Sequence, residues 1–150
     1  MSENLLILIP FQPDFIPAQE SQRAATAILR EMVAAESIVE SRTTAFIEFV
    51  DAGANFKSIA CPLCRREIDT AWWSGAMDAA ARSEFSDLGI VTPCCHKNTS
   101  LNDLVYDFPQ GFARFRLQAI NPHIPGLEGI QLSALEQALG CNLRVIWQHL

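Results

Sequence analysis

Four of the five cysteines fall in two tight clusters, Cys61-Pro62-Leu63-Cys64 and Pro93-Cys94-Cys95-His96, separated by a segment long enough to hold a helix. Thiolates at short local spacing, repeated once at a distance, are what a tetrahedral zinc ion needs. Cys61, Cys64, Cys94 and Cys95 would give a closed, all-thiolate ligand set for a structural Zn2+. Exchanging Cys94 or Cys95 for His96 would give three thiolates and an imidazole. Pro62 fixes φ between the first two thiolates, so the amides after it can turn inward and donate to sulfur. Adjacent residues project to different sides of an extended chain, so the Cys94–Cys95 pair needs a tight turn, which Pro93 makes available. Zinc held by four thiolates carries a formal charge of about −2. Arg65, Arg66 and Lys97, beside the sulfurs, offset part of it.

Other chemistries fit these residues less well. A redox pair at a helix start would leave Cys94-Cys95 without a role, and the proline follows the first cysteine instead of preceding the second. A deaminase site needs His-x-Glu with Pro-Cys-x-x-Cys, and none of His96, His123 and His149 has that glutamate. The zinc-protease, nucleophile-elbow, dinucleotide and P-loop patterns are absent. His123, between prolines, and His149, at the terminus, read as surface residues. Cys141, after Gly140, reads as a small buried apolar side chain. No catalytic residue is therefore assigned, although the polar stretch 98–107 could conceal one.

Composition bounds the function. Hydrophobic residues at 49% against 19% charged describe one globular domain of 150 residues with a real core. The net charge is −6, and the excess lies in residues 1–50, where Glu3, Asp14, Glu20, Glu31, Glu36, Glu40 and Glu48 face only Arg23, Arg30 and Arg42. That balance argues against nonspecific nucleic-acid binding and against an anionic membrane, and a basic protein is its electrostatic match. Glu31 and Glu36 are candidate binding residues on that account, and Trp72 and Trp73 beside the cysteines are two more. The indoles with Arg65, Arg66 and Lys97 make only a thin nucleic-acid footprint. Leu5–Ile9 is too short for a signal core, no membrane-length apolar run occurs, and an odd cysteine count suits free thiols in a reducing cytoplasm.

The elements that must position the cysteines follow from patterning. Residues 4–9 read as a strand buried on both faces, and 18–36 as a helix with Ala25, Ile28, Leu29, Met32 and Val33 on its apolar stripe. Residues 44–51 and 56–60 read as a hairpin that delivers the chain into Cys61. Asp69 or Thr70 caps a helix over about 71–85. Ile90 and Val91 form a short strand, and 98–103 a polar loop. Residues 104–106 and 112–120 read as strands around a turn, the second with Phe115 and Leu117 on one face and Arg114 and Arg116 on the other. Ser133-Ala134-Leu135-Glu136 has the capping-box pattern of a helix that Gly140 ends, and 143–147 is a last strand. No internal repeat is visible. The order predicts one α+β domain, with a largely antiparallel sheet, helices on one side and a zinc-knuckle insertion at about 56–100.

The string Cys-Pro-Leu-Cys, Trp72-Trp73, Pro93-Cys94-Cys95, Ser100–Leu104, Tyr106-Asp107 and Gly111–Phe115 resembles a set of small uncharacterised bacterial proteins. The acidic single-domain format is similar to that of toxin-immunity proteins. Together these imply a bacterial, non-enzymatic, zinc-stabilised protein that binds a basic toxin or another macromolecule. A zinc-knuckle nucleic-acid adaptor and an enzyme with a concealed site are the alternatives.

Overall fold

The computed structural model describes residues 2–150. Its frame is a four-stranded, wholly antiparallel sheet in the order β2-β7-β1-β8, formed by β1 (Asn4–Pro10), β2 (Ile38–Val50), β7 (Gly111–Ile120) and β8 (Leu143–His149). Strand β1 is central, and Leu5–Ile9 are all buried, as their unbroken apolar character predicts. Leu6 and Leu8 face α1 (Gln19–Met32) and α3 (Gly129–Leu139), packing with Ala25, Leu29, Phe115, Leu117, Leu135 and Leu139. Leu5, Ile7 and Ile9 face the opposite way and meet Val50, Ala113 and Ile146.

That second face is covered by the sheet's own strands. Between Thr43 and Glu48 the β2–β7 ladder slips, so several β2 residues stand opposite Arg114 alone. Bulges of this kind bend the strand that carries them. Beyond the bend, the far ends of β2 and β7 curl across the sheet and bring Val50 and Ala113 onto Ile7 and Ile9. The chain next reaches β8, where Gly53 lies against His149. Gly53 has φ of +61°, and a Cβ there would collide with the His149 carbonyl oxygen, so only glycine fits.

Between the curled ends sits the cysteine-bearing insertion, running from Val50 to its ladder partner Gly111. It contains β3 (Ser58–Ala60), α2 (Thr70–Ala81), β4 (Gly89–Val91), β5 (Asn98–Ser100) and β6 (Val105–Asp107), with β3 paired to β6 and β4 to β5. It has its own core of Ile59, Ile68, Ala80, Leu101, Leu104 and Tyr106, sealed to the sheet by Phe112. Arg144 of β8 ties the two parts together. Its guanidinium donates to Asn102 Oδ1 at 3.1 Å, the Asn102 carbonyl at 2.8 Å and the Gln110 carbonyl at 2.6 Å.

Six expectations are corrected. Residues 56–60 do not return against 44–51, because β2 is already paired to β7, and β3 takes β6 as its partner instead. Likewise β6 and β7 follow one another in the chain but belong to different sheets. Residues 98–103 are not a loop: Asn98–Ser100 are strand β5, and Leu101–Asp103 form a 3-10 turn begun by the Ser100 hydroxyl, which accepts from the Asn102 N–H. Helix α3 starts a turn before Ser133, where Gln131 Oε1 accepts from the Glu128 N–H at 2.8 Å. That earlier start lets Leu132, Leu135 and Leu139 face the sheet. Helix α1 stops at Met32, and α2 stops at Ala81, before Glu84 and Phe85 take left-handed backbone.

Candidate metal centre

Each cysteine cluster is a tight turn at the tip of a small ladder. After β3, the Cys61 N–H donates to the Arg66 carbonyl at 2.9 Å and the Arg65 N–H to the Cys61 carbonyl at 3.0 Å. After β4, the Thr92 N–H donates to the Lys97 carbonyl at 3.0 Å and the His96 N–H to the Thr92 carbonyl at 3.0 Å. The offsets are the same, and Arg65 and His96 both adopt left-handed backbone, with φ of 67° and 57°. The two turns therefore match residue for residue: Cys61 with Thr92, Pro62 with Pro93, Leu63 with Cys94, Cys64 with Cys95, Arg65 with His96 and Arg66 with Lys97. The chain does contain an internal repeat, of six residues. It is hidden because the second copy replaces the leading cysteine by threonine and moves that thiol two places along, to Cys94.

The repeat brings four sulfurs together. The Sγ atoms of Cys61, Cys64, Cys94 and Cys95 all lie within 4.8 Å of one another and could hold a metal ion. Cys64 and Cys94 are 3.3 Å apart, and Cys61 and Cys95 3.8 Å. Cys61 is fully buried and the other three half-buried. Thr92 is also fully buried, and its Oγ1 lies 3.1 Å from Cys95 Sγ while accepting from the Lys97 N–H at 3.2 Å. The hydroxyl thus fills the slot of the missing thiol and orients its neighbour. His96 is exposed and is not one of the four grouped thiols.

The thiols are unequal. Burial works against ionising Cys61, but the Cys64 and Leu63 amides and the Cys94 and Cys64 thiols donate to it, and the balance lowers it to about 6. Burial pushes Cys94 up to about 11, reinforced by its bonds to Cys64 and Cys61 and by the charge they carry.

Helix α2, capped by the Asp69 carboxylate on the Ala71 N–H at 3.0 Å, backs the centre. Trp73 is anchored by its Nε1–H to the Tyr106 hydroxyl at 3.1 Å and sits among Phe49, Phe56 and Tyr106. Trp72 is half-buried in the same core, so neither indole is a free aromatic surface. Glu31, in the last turn of α1, and Glu36, just beyond it, are exposed but belong to the helical layer of the sheet, not to the insertion. Cys141 stands apart and packs against the sheet–helix core. The stretch 98–107 holds no open polar site around Asn102. That side chain is buried, spent on the Phe11 carbonyl, the Phe112 N–H and Arg144. Thr92, Tyr106, Asn102 and Arg144 were missed by sequence reasoning. Only Thr92 left a trace, the Thr-Pro-x-Cys echo of Cys-Pro-x-Cys.

No protein-family model, no curated protein and no solved structure matches the chain. Among the described residues, no helix is long and apolar enough to cross a membrane.

Proposed function

We propose that the chain is a non-catalytic binding protein whose insertion is organised by one structural zinc ion. The observation that carries the proposal is the convergence of four thiols on two matched, hydrogen-bonded turns. At a zinc–sulfur distance of about 2.3 Å, the sulfurs of a regular tetrahedron stand about 3.8 Å apart. The Cys61–Cys95 separation of 3.8 Å meets that value. Four protein thiols would leave no open coordination position, and among the described residues no His, Asp or Glu joins the group, so the ion would serve folding and not turnover. Elemental analysis should find one zinc per chain. Cys61→Ala or Cys64→Ala should lose it, Cys141→Ala should keep it, and a strong chelator should lower the Tm. Metal-free protein of unchanged Tm would overturn the zinc reading.

The binding role is supported by what the fold leaves exposed. Steering of a basic toxin by Glu31 and Glu36, in the manner of an immunity-type inhibitor, is one form it would take. Two neighbouring acids are already engaged: Glu48 is shared by Arg42 at 3.1 Å and Arg116 at 3.6 Å, and Glu40 accepts from Gln118 at 2.7 Å, while Glu36 has only His123 Nε2 at 3.9 Å. Reversing Glu31 and Glu36 to lysine should then slow association most at low salt. An unchanged on-rate to a purified partner would exclude that form. One observation favours nucleic acid as a second reading. Arg65 and Arg66 on one turn match His96 and Lys97 on the other, all exposed, and so form a basic rim around the centre. Salt-sensitive RNA binding lost in Arg66→Glu/Lys97→Glu would establish it.

A further inference from the structure

The outer edge of β2 carries no partner strand among the described residues, although the sheet order ends there. Its first half, Ile38–Thr43, runs straight before the bulge, and all of it except Val39 is exposed. Which backbone groups face outward follows from alternation along the neighbouring strand. The Asn121 N–H donates to Asn4 at the β1 side, and the Ile120 carbonyl accepts from the Ser37 hydroxyl at the β2 side. Ile120, Gln118 and Arg116 therefore turn their hydrogen bonds toward β2, and their partners Ile38, Glu40 and Arg42 turn theirs inward. Val39, Ser41 and Thr43 are left with N–H and C=O pointing out. That is a ready template for one more strand.

Beside this edge runs the polar face of α1. A groove of about 570 Å³ lies between them, with Val39, Glu40 and Ser41 on the strand side and Arg23, Thr26 and Arg30 on the helix side. Arg23 and Arg30 are exposed and make no ion pair among the described residues. Seven residues of helix separate them by about 10.5 Å. Along a strand, side chains on one face recur about every 6.8 Å, so long arginines can reach acids two or four residues apart. Residues of an added strand opposite Val39, Ser41 and Thr43 would point their side chains to the α1 side. Glu40, by the same alternation, faces away from α1, toward Gln118. A second copy of this chain is a poor occupant. Two-fold pairing through Ser41 would set Arg23 and Arg30 of one α1 against the same arginines of the other.

We propose that β2 accepts an extended acidic segment of a partner protein as a fifth strand, its backbone paired to Val39, Ser41 and Thr43 and its alternate carboxylates held by Arg23 and Arg30. This inference rests on the protein-binding reading and names the chemistry of one partner segment, whatever the partner's net charge. The probe is a labelled eight-residue peptide of alternating threonine and glutamate, titrated into the intact metal-loaded protein by fluorescence anisotropy. Saturable binding should weaken about tenfold or more in Arg23→Glu/Arg30→Glu. It should weaken similarly in Ser41→Pro, which removes one outward N–H while sparing the β2–β7 ladder. Should Ser41→Pro fail to fold, a peptide N-methylated at alternate residues supplies the same loss from the other side. The alternating threonine–lysine peptide should not bind. Equal binding by the variants, no binding by wild type, an oligonucleotide that displaces the peptide, or a dimer abolished by Ser41→Pro would each overturn the proposal. Absence of peptide binding while a purified partner still binds elsewhere would leave the protein-binding reading standing and remove this one alone.

Discussion

At the scale of single residues, the chain spends its unusual side chains on holding the insertion in place. Thr92 is the clearest case. Thr92→Val keeps the volume but strands the Lys97 N–H and removes the hydroxyl 3.1 Å from Cys95 Sγ. Loss of a part-buried hydrogen bond costs about 0.5–1.5 kcal/mol, so the variant should melt lower and release metal to a weaker chelator, as read by competition with a colorimetric dye. Tyr106 gives a pH signature. Burial pushes its phenol up to about 12, against the lowering effects of the Trp73 N–H and of Arg144. The unfolded chain ionises near its ordinary value of about 10, so the contribution is complete below that pH and is lost as pH rises through the folded value. Denaturant midpoints should therefore fall between about pH 10 and 12 by the equivalent of roughly 2–3 kcal/mol, and Tyr106→Phe should flatten that fall. The cysteines were legible because metal spacing is local. Thr92 and Tyr106 were not, because a threonine after a strand and a lone tyrosine acquire meaning only through what lies across the fold.

Among the elements, those governed by local rules were the ones read well. Strand β1 declared its two-sided burial, Asp69 its cap, and Gly140 its left-handed helix stop with φ of 76°. The errors were of pairing. Residues 44–51 with 56–60, and 104–106 with 112–120, look like hairpins because each pair is adjacent in sequence. The long strand Gly111–Ile120, with Phe112, Phe115 and Leu117 buried, outcompetes the short strands and claims β2 across the whole insertion. Two short strands were left to pair with each other. The join between insertion and sheet then depends on Asn102, whose amide serves the Phe11 carbonyl, the Phe112 N–H and the Arg144 guanidinium at once. Asn102→Ala should cost about 3 kcal/mol through these stranded groups. It should speed hydrogen exchange in β3, β6 and α2 more than in β1, and uniform acceleration would show that the join is not where the two parts separate.

For the molecule as a whole, sequence patterning fixed the class but not the arrangement. One α+β domain with an antiparallel sheet followed from element order, and α1 and α3 do share one face. Nothing local announced that the other face would be roofed by the bent ends of β2 and β7, since a bend set by a three-residue register shift at Arg114 has no signature of its own. The meeting of Val50 and Gly111 in one ladder also carries a consequence for how the chain finds its shape. The sheet cannot close until two strands separated by the entire insertion come together, and a long flexible loop makes that encounter slow. Cation capture by Cys61, Cys64, Cys94 and Cys95, as proposed, would need only the residues between the two turns, so it would precede that encounter and shorten the search. Refolding from denaturant should accordingly run faster with zinc present than with a chelator, while unfolding of the loaded protein changes less. In stopped-flow tryptophan fluorescence, equal refolding rates in the two conditions would mean that the metal arrives after the sheet, as a lock and not as a guide.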